Sequence, residues 1–361
     1  MFERRWLTNN GPIVQDFEAR IAAMTGARHA LAFCNATVAL EVLVRACKLE
    51  GEVIVPAFTF VATAHCLNWL GVKPVFCDVR PDRHTIDTAL VEKAITPRTT
   101  AILATHLWGT PCDIDELQTI ARRHGLKLLF DAAHAFSCSY RGKPIGTFGD
   151  AEVFSFHGTK FINAFEGGAI TTNDDALAQR LKLMRNFGFA GLDLVVSDGT
   201  NGKMTEVCAA MGIASLESMN NVISTNREHH FEYTRLLSEV PGLRVTAYEP
   251  SEKPNYQYVV VQVDEEKARL SRDELVQALA AENVLARKYF APGCHRMEPY
   301  RTAGGHDPLP VTEHLAQALL ALPTGTAITR DDVRLIVSIL KTAVQQPERV
   351  RAQLRAIAPP R

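Results

Sequence analysis

The chain has no charge of either sign to spare, no cysteine pair at metal spacing and no apolar run long enough to matter to a bilayer. Its 39 lysines and arginines are balanced by 40 aspartates and glutamates, for a formal net charge of -1. A surface so nearly neutral gives no general attraction to nucleic acid or to an anionic membrane, and any anionic ligand must be held by local groups. The apolar stretches fall far short of the roughly 20 residues that span a hydrocarbon core. Met1 is followed by Phe2, Glu3, Arg4 and Arg5, with no apolar stretch of a secretory signal behind them. The expectation is a cytoplasmic protein with neither a membrane nor a nucleic-acid partner. The eight cysteines are scattered without a C-x-x-C pair, and the twelve histidines show no H-E-x-x-H. The cysteines read as buried free thiols, and no metal site is expected.

What is there is a chain of 361 residues, 47% hydrophobic and 22% charged, ample for two globular domains. Through the first two thirds, short β-branched runs alternate with helical patterns, the texture of a parallel sheet with crossover helices. Strands are predicted at 29–34, 52–56, 74–78, 100–105, 126–131, 152–156 and 169–172, with helices among them at 36–48, 59–70 and 113–124. Asp113 stands where an N-cap belongs and Gly125 where a helix stops. After Asp193 the texture changes. A long helical region is predicted from about 205 to 240, ended by Pro241-Gly242. A strand at 256–263, a helix at 271–282, a Gly/Pro-rich segment at 292–310 and an amphipathic helix near Asp331 follow. The fold class is α/β: a large, mostly parallel seven-stranded sheet domain over 1–245 and a smaller C-terminal α+β domain over 246–361.

Three features fall at the C-terminal ends of predicted strands, where open α/β sheets place their ligands. Asp131 closes LKLLFD. The run Ser155-Phe156-His157-Gly158-Thr159-Lys160 closes EVFSF. Asn35-Ala36-Thr37 leaves the first strand and opens a helix, whose free amides and dipole suit a phosphate. Each alone has a plainer reading: a helix cap, a solvated cation, an ordinary strand-to-helix turn. Together they match the needs of pyridoxal phosphate (PLP). A buried carboxylate keeps the pyridine nitrogen protonated, and an amine of lowered pKa must bond the aldehyde. The same lysine, once displaced, can carry a proton between the amino donor and the cofactor.

The segment FDAAHAFSCSYRGKPIGTFGDAEVFSFHGTKFINAFEGGAITTND (130–174) closely resembles the core of the sugar-nucleotide aminotransferases, the DegT/DnrJ/EryC1/StrS family. GPIVQDFEARIA (11–22), PAFTFVATAHCLNWLGVKPVFCDV (56–79), NGKMTEVCAAMG (201–212), LARKYFAPGCHRMEPY (285–300) and LPVTEHLAQALLALPTG (309–325) carry the likeness over nearly the whole chain. The resemblance implies PLP fold type I, the aspartate aminotransferase-like architecture. It makes Lys160 the Schiff-base lysine and Asp131 the partner of the pyridine nitrogen. His134 would lie near the phenolic oxygen and Phe60 on the pyridine face, while Ala36, Thr37 and Ser155 would hold the phosphate. Asn201 matches a residue that reaches the neighbouring subunit's cofactor, which implies a homodimer with shared active sites.

His157 matches members that aminate C4 of the hexose and is a candidate catalytic residue; a plain hydrogen-bonding role is the equal alternative. CNATVAL (34–40), HLWGTPCDID (106–115) and GTNGKMTE (199–206) look most like the enzymes making dTDP-4-amino-4,6-dideoxy-D-glucose from dTDP-4-keto-6-deoxy-D-glucose, a step of deoxysugar biosynthesis. L-Glutamate is the amino donor expected. Trp108, Arg287, Tyr289 and His295 are candidate substrate contacts. The sequence departs from the family's pattern in three places: Asn-Ala-Thr for the common Ser-Gly-Thr, Phe165 before Glu166-Gly167-Gly168, and Lys203 for an arginine. Two other functions stay open, amination of another keto sugar (a C3 ketone, a keto-inositol or an octulosonate-type sugar) and a non-catalytic regulatory role, against which the intact Lys160 argues.

Overall fold

The computed structural model describes residues 5–304 and 307–357. Seven strands form the large sheet: β1 (His29–Phe33), β2 (Glu52–Pro56), β3 (Lys73–Cys77), β4 (Thr99–Thr105), β5 (Lys127–Asp131), β6 (Ala151–Ser155) and β7 (Gly168–Thr172). Their spatial order is β1-β7-β6-β5-β4-β2-β3. Only β7 runs against its neighbours; the other pairs are parallel. Alternate residues of β4 and β5 serve two separate cores, Ile102, Ala104, Leu128 and Phe130 on one face and Ala101, Leu103 and Leu129 on the other. Strands buried on both faces must be apolar throughout, and continuous apolar runs are what the sequence carries.

Helices α1 (Pro12–Thr25), α2 (Ala36–Ala46), α3 (Ala62–Asn68), α4 (Thr88–Lys93), α5 (Ile114–His124), α6 (Asp175–Met184) and α7 (Glu206–Glu217) cover the sheet. The stop at Gly125 is left-handed, with φ 66°, as its position requires. Asp113 makes no cap; its carboxylate instead takes a bond from Arg80 at 3.1 Å.

A second, antiparallel sheet joins β8 (Leu243–Val245), β9 (Val259–Val263) and β10 (Leu319–Leu322) in that order. It packs against α8 (Met219–Leu237), α9 (Arg272–Ala281) and, beyond α10 (Pro310–Ala318), α11 (Arg330–Gln345), around Tyr233, Val261, Leu275 and Leu340. The helical region expected from 205 to 240 is two helices meeting at Ser218, whose ψ of -5° steps off the helical path. One rod could not serve both cores: α7 lies on α1, and α8 on the second sheet. β10 was not marked in the sequence, because LLAL continues the apolar spacing of the helix before it. β9 starts at Val259, three residues later than expected. The chain ahead of it is drawn aside, Tyr256 with φ 54° and Asn255 donating to the carbonyls of His134 at 2.9 Å and Phe136 at 3.0 Å. Among the described residues no helix is long and apolar enough to cross a membrane.

Two helix starts lack side-chain caps of their own and borrow distant carboxylates. Asp78, after β3, accepts from the amides of Val311 at 2.9 Å and Thr312 at 2.7 Å in the first turn of α10. Fully buried Glu206 accepts from the amides of Gly11, Ile13 and Val14 at 2.9–3.3 Å, opening α1. Free first-turn amides buried without acceptors are costly. Glu206→Ala should therefore lower the unfolding free energy by about 2–4 kcal/mol, and Glu206→Gln by roughly half of that. Urea denaturation followed by circular dichroism measures both; an unchanged midpoint for Glu206→Ala would contradict the capping role.

Candidate active site

The C-terminal ends of β5 and β6, the residues just beyond β2, and the starts of α2 and α3 ring one cavity of about 560 Å³. Asp131 lies buried at its base. Its carboxylate accepts from Thr63 Oγ1 at 2.7 Å and from the Ala133 amide at 3.1 Å. Thr63 in turn shares a bond of 3.1 Å with Thr59, which reaches Thr105 at 3.2 Å. Burial pushes the Asp131 carboxyl up from its ordinary value, while Thr63, Ala133 and Lys160 pull the other way. Among the described residues it has no ion pair within 4 Å, so the base of the cavity offers an acceptor still wanting a cationic N–H.

Lys160 lines the same cavity from the loop after β6. Desolvation pulls its ammonium down to about 8, against the attraction of Asp131. An amine with that acidity is partly neutral, and so nucleophilic, near neutral pH. Across the cavity, Asn35 Oδ1 caps the Val38 amide at 2.8 Å, and the amides of Ala36 and Thr37 precede any intrahelical partner. Gly168 lets this turn sit down on the sheet: a Cβ there would come within 2.6 Å of Ala36 N. Ser155 is paired with Gly168 across the β6–β7 ladder, beside the turn. A carboxylate, a deprotonatable amine and a helix start thus face one space, and they fit the ring nitrogen, aldehyde and phosphate of PLP.

The remaining residues singled out in the sequence divide. Phe60 stands at the mouth, 55% exposed, 6.4 Å from the ring of Phe290. His134 is buried against the cavity wall, its ring neutral because burial and Lys160 push its pKa down. His157 is half exposed at the rim, bonded through Nδ1 to Thr159 Oγ1 at 2.9 Å and with Nε2 3.5 Å from Glu166. Arg287 and Tyr289 also line the cavity, the guanidinium 5.1 Å above the tyrosine ring.

Three residues stand outside the cavity. Trp108 is buried behind it, stacked on His134 at 5.7 Å and on Phe290 at 5.1 Å, and forms the wall's backing. His295 is buried 3.3 Å from Glu313. Asn201 is exposed, taking a bond from Lys203 Nζ at 2.7 Å, and does not line its own chain's cavity. Sequence reading missed Thr63, Tyr258 and Phe290, which touch these groups only through tertiary packing. No local signal marks them.

A second basin of about 780 Å³ adjoins the first and shares Phe60, Arg287, Tyr289 and Phe290 with it. Lys288 and Arg296 add positive charge there, facing Asp273 and Glu313.

The comparisons with known proteins agree with this geometry. The chain is 37% identical over 344 residues to the dTDP-4-amino-4,6-dideoxy-D-glucose transaminase of Escherichia coli, covering 94% of this chain and 92% of that protein. It is 35% identical over 343 residues to the GDP-perosamine synthase of Caulobacter vibrioides, covering 93% and 91%. Among solved structures, DesI in the presence of its TDP-sugar product is 47% identical, with a TM-score of 0.94 over 98% of this chain and 90% of that one. The family model for the DegT/DnrJ/EryC1/StrS aminotransferase family matches residues 1–341, which include every strand and side chain of the cavity. The chain belongs to that family.

Proposed function

We propose that this aminotransferase moves an amino group from L-glutamate to the C4 ketone of a nucleotide-linked 4-keto-6-deoxyhexose. The substrate in this reading is dTDP-4-keto-6-deoxy-D-glucose, and the product is the 4-amino-4,6-dideoxy sugar. The observation that carries the reading is the meeting of buried Asp131, the depressed amine of Lys160 and an open helix start in one cavity. The relatives named for a dTDP-linked 4-amino sugar and for a TDP-sugar product support the choice of substrate.

PLP, when bound, supplies an aldehyde for the travelling amino group and a ring that accepts the electron pair of the broken C–H bond. Asp131 holds a proton on the ring nitrogen from the base of the cavity. The amides of Ala36 and Thr37 and the hydroxyl of Ser155 hold the phosphate, in a turn that Gly168 brings against the sheet. Lys160 Nζ anchors the cofactor and, once released, moves the proton at the donor Cα. His134, buried in the cavity wall, would hold the cofactor from one side, and Phe60 at the mouth would stack on it and exclude water. His157, tied to Thr159 and Glu166 at the rim, orients the sugar by hydrogen bonding.

Both substrates must use one cavity in turn, and Arg287 at the boundary of the two basins serves both. It takes the donor's carboxylate in one half-reaction and the diphosphate in the other, with Tyr289 beneath it. The exposure of Phe187, Leu192, Leu194, Val195 and Val196 on the segment that leads to Asn201 supports a homodimer. Several exposed apolar side chains close together in sequence suit an interaction site, and a second copy covering them would bring Asn201 to the partner's phosphate. Division of the chain near residue 245 would leave β8 with the large domain and give β9 and β10 to a smaller one that closes the cavity with Tyr258, Arg287 and Tyr289.

With dTDP-4-keto-6-deoxy-D-glucose and L-glutamate the enzyme should form a product whose ketone has become a primary amine, seen by mass spectrometry. Turnover of only a GDP-linked or C3-keto sugar would replace the substrate named here. Lys160→Ala should show no turnover and no borohydride-trapped adduct. Asp131→Asn should cut kcat by about 10²–10³-fold with little change in KM, since it removes a charge felt only by the reacting ring. Loading of the cofactor-free protein with PLP should quicken about tenfold per pH unit up to pH 8 and level off above it, because only the neutral amine attacks. A loading rate still climbing about tenfold per unit from pH 8 to 10 would refute a depressed Lys160.

A further inference from the structure

Tyr258 enters the cavity from the second sheet, one residue ahead of β9. Its hydroxyl oxygen lies 3.4 Å from Lys160 Nζ and 3.1 Å from His134 Nε2. The tautomer of His134 follows from its other nitrogen. Nδ1 accepts the backbone N–H of Trp108 at 3.4 Å, and the buried ring is neutral, so its one proton sits on Nε2 and is donated to Tyr258 Oη. The phenol itself stays protonated, since burial raises its pKa. Its oxygen therefore accepts from two N–H donors, and its own proton is left for the cavity.

The phenol ring is held on several sides. Trp108 meets it edge to face at 5.1 Å and Tyr289 at 6.3 Å, and the Tyr248 hydroxyl bonds the Tyr258 carbonyl at 3.3 Å. Gln257, next in the chain, grips the same loop as Tyr258 does: its Oε1 accepts the Phe161 amide at 3.4 Å. Two consecutive residues of the second sheet thus clamp the lysine loop at 160 and 161.

A lysine side chain turns about four single bonds, and an amine released from its cofactor would wander without an anchor. Misplacing a reacting group by about 1 Å costs on the order of a hundredfold in rate. We propose that Tyr258 is the positioning residue for the released Lys160 amine: a fixed phenol oxygen, oriented by His134, that keeps Nζ at the reacting carbon whenever the lysine is not covalently engaged. The inference rests on the reading of Lys160 as the cofactor-bearing amine.

Tyr258→Phe keeps the ring and removes the oxygen. It should lower kcat by about 10- to 100-fold while KM for the sugar nucleotide stays within twofold. A loss of packing alone would not move the acidity of Lys160, and that is the deciding measurement. The cofactor-free protein is acylated with trace acetic anhydride across pH 6–10, and the peptide carrying residue 160 is quantified by mass spectrometry. The phenol oxygen favours the ammonium form, so its loss should shift the labelling midpoint down by roughly half a unit. An unshifted midpoint overturns the proposal whatever happens to kcat. Lys160→Ala run in parallel separates the two possible failures. Turnover without Lys160 sinks the reading of the site and the inference with it, whereas a dead Lys160→Ala beside an unshifted Tyr258→Phe sinks the inference alone.

Discussion

Desolvation at the end of the large sheet sets the chemistry of this protein. The cavity that takes water from Asp131 also takes it from Lys160, and it disfavours the charged form of each. Their mutual attraction works in the opposite sense and does not cancel the effect. A buried carboxylate that wants a cation and an ammonium that readily gives up its proton are poor partners for each other and good ones for a third molecule. That molecule must bring a cationic N–H to one end and an electrophilic carbon to the other. The rest of the site follows from this need. Thr63 and the Ala133 amide keep the carboxylate aimed, and the threonine chain through Thr59 to Thr105 keeps Thr63 aimed.

The cavity is a joint between two sheets, and the joint is made with few groups. Asn255 donates to two carbonyls of the loop that follows Asp131, Gln257 accepts from the loop of Lys160, and Tyr258 meets Lys160 itself. On the far side, Asp78 holds the start of α10 and so ties the end of β3 to the helix that leads into β10. Asn255 and Asp78 are buried polar groups with their hydrogen-bond partners in place, and such groups fix one geometry among many apolar packings of similar energy. The chain spends strand length on this. Residues 255–258 could have extended β9, and instead they dock on the cofactor loops.

What was legible in the sequence was what is local. All seven strands of the large sheet could be marked because strands buried on both faces are short apolar runs between turn signals. Asp131 and Lys160 stood out because each closes such a run. The turn at Asn35 could be read as an open helix start from residue type alone; that Gly168 seats it on the sheet, against the Ala36 backbone, is seen only in the fold. What was not legible depends on distance. Glu206 looks like an ordinary first-turn acid of α7 until its carboxylate is seen on the amides of α1, 192 to 195 residues away. Thr63 is an ordinary-looking threonine near the start of the short α3. Trp108 invited a substrate role by its place at a strand end, yet large flat side chains next to a cavity pack behind it as readily as they line it. Tyr258 lies one residue ahead of β9 in the other sheet, and only the fold brings it to Lys160.

The two basins also separate chemistry from choice of substrate. Asp131, Lys160 and the Ala36 turn all face the inner cavity, at a strand end or in the short segments just beyond strands of the large sheet. In the function proposed above, a sugar nucleotide would extend into the outer basin, along the segment from Arg287 to Arg296, where Lys288 and Arg296 face Asp273 and Glu313 at the surface. Exposed pairs of this kind are cheap to rearrange. A fold built this way can keep Asp131, Lys160 and the Ala36 turn fixed while the outer segment changes what it admits. That division accounts for relatives of similar identity to this chain being named for dTDP-linked and for GDP-linked sugars. Lys288 and Arg296 line the outer basin and not the cavity that holds Asp131, so a change at those two positions need not disturb the charge balance at the base of the inner cavity.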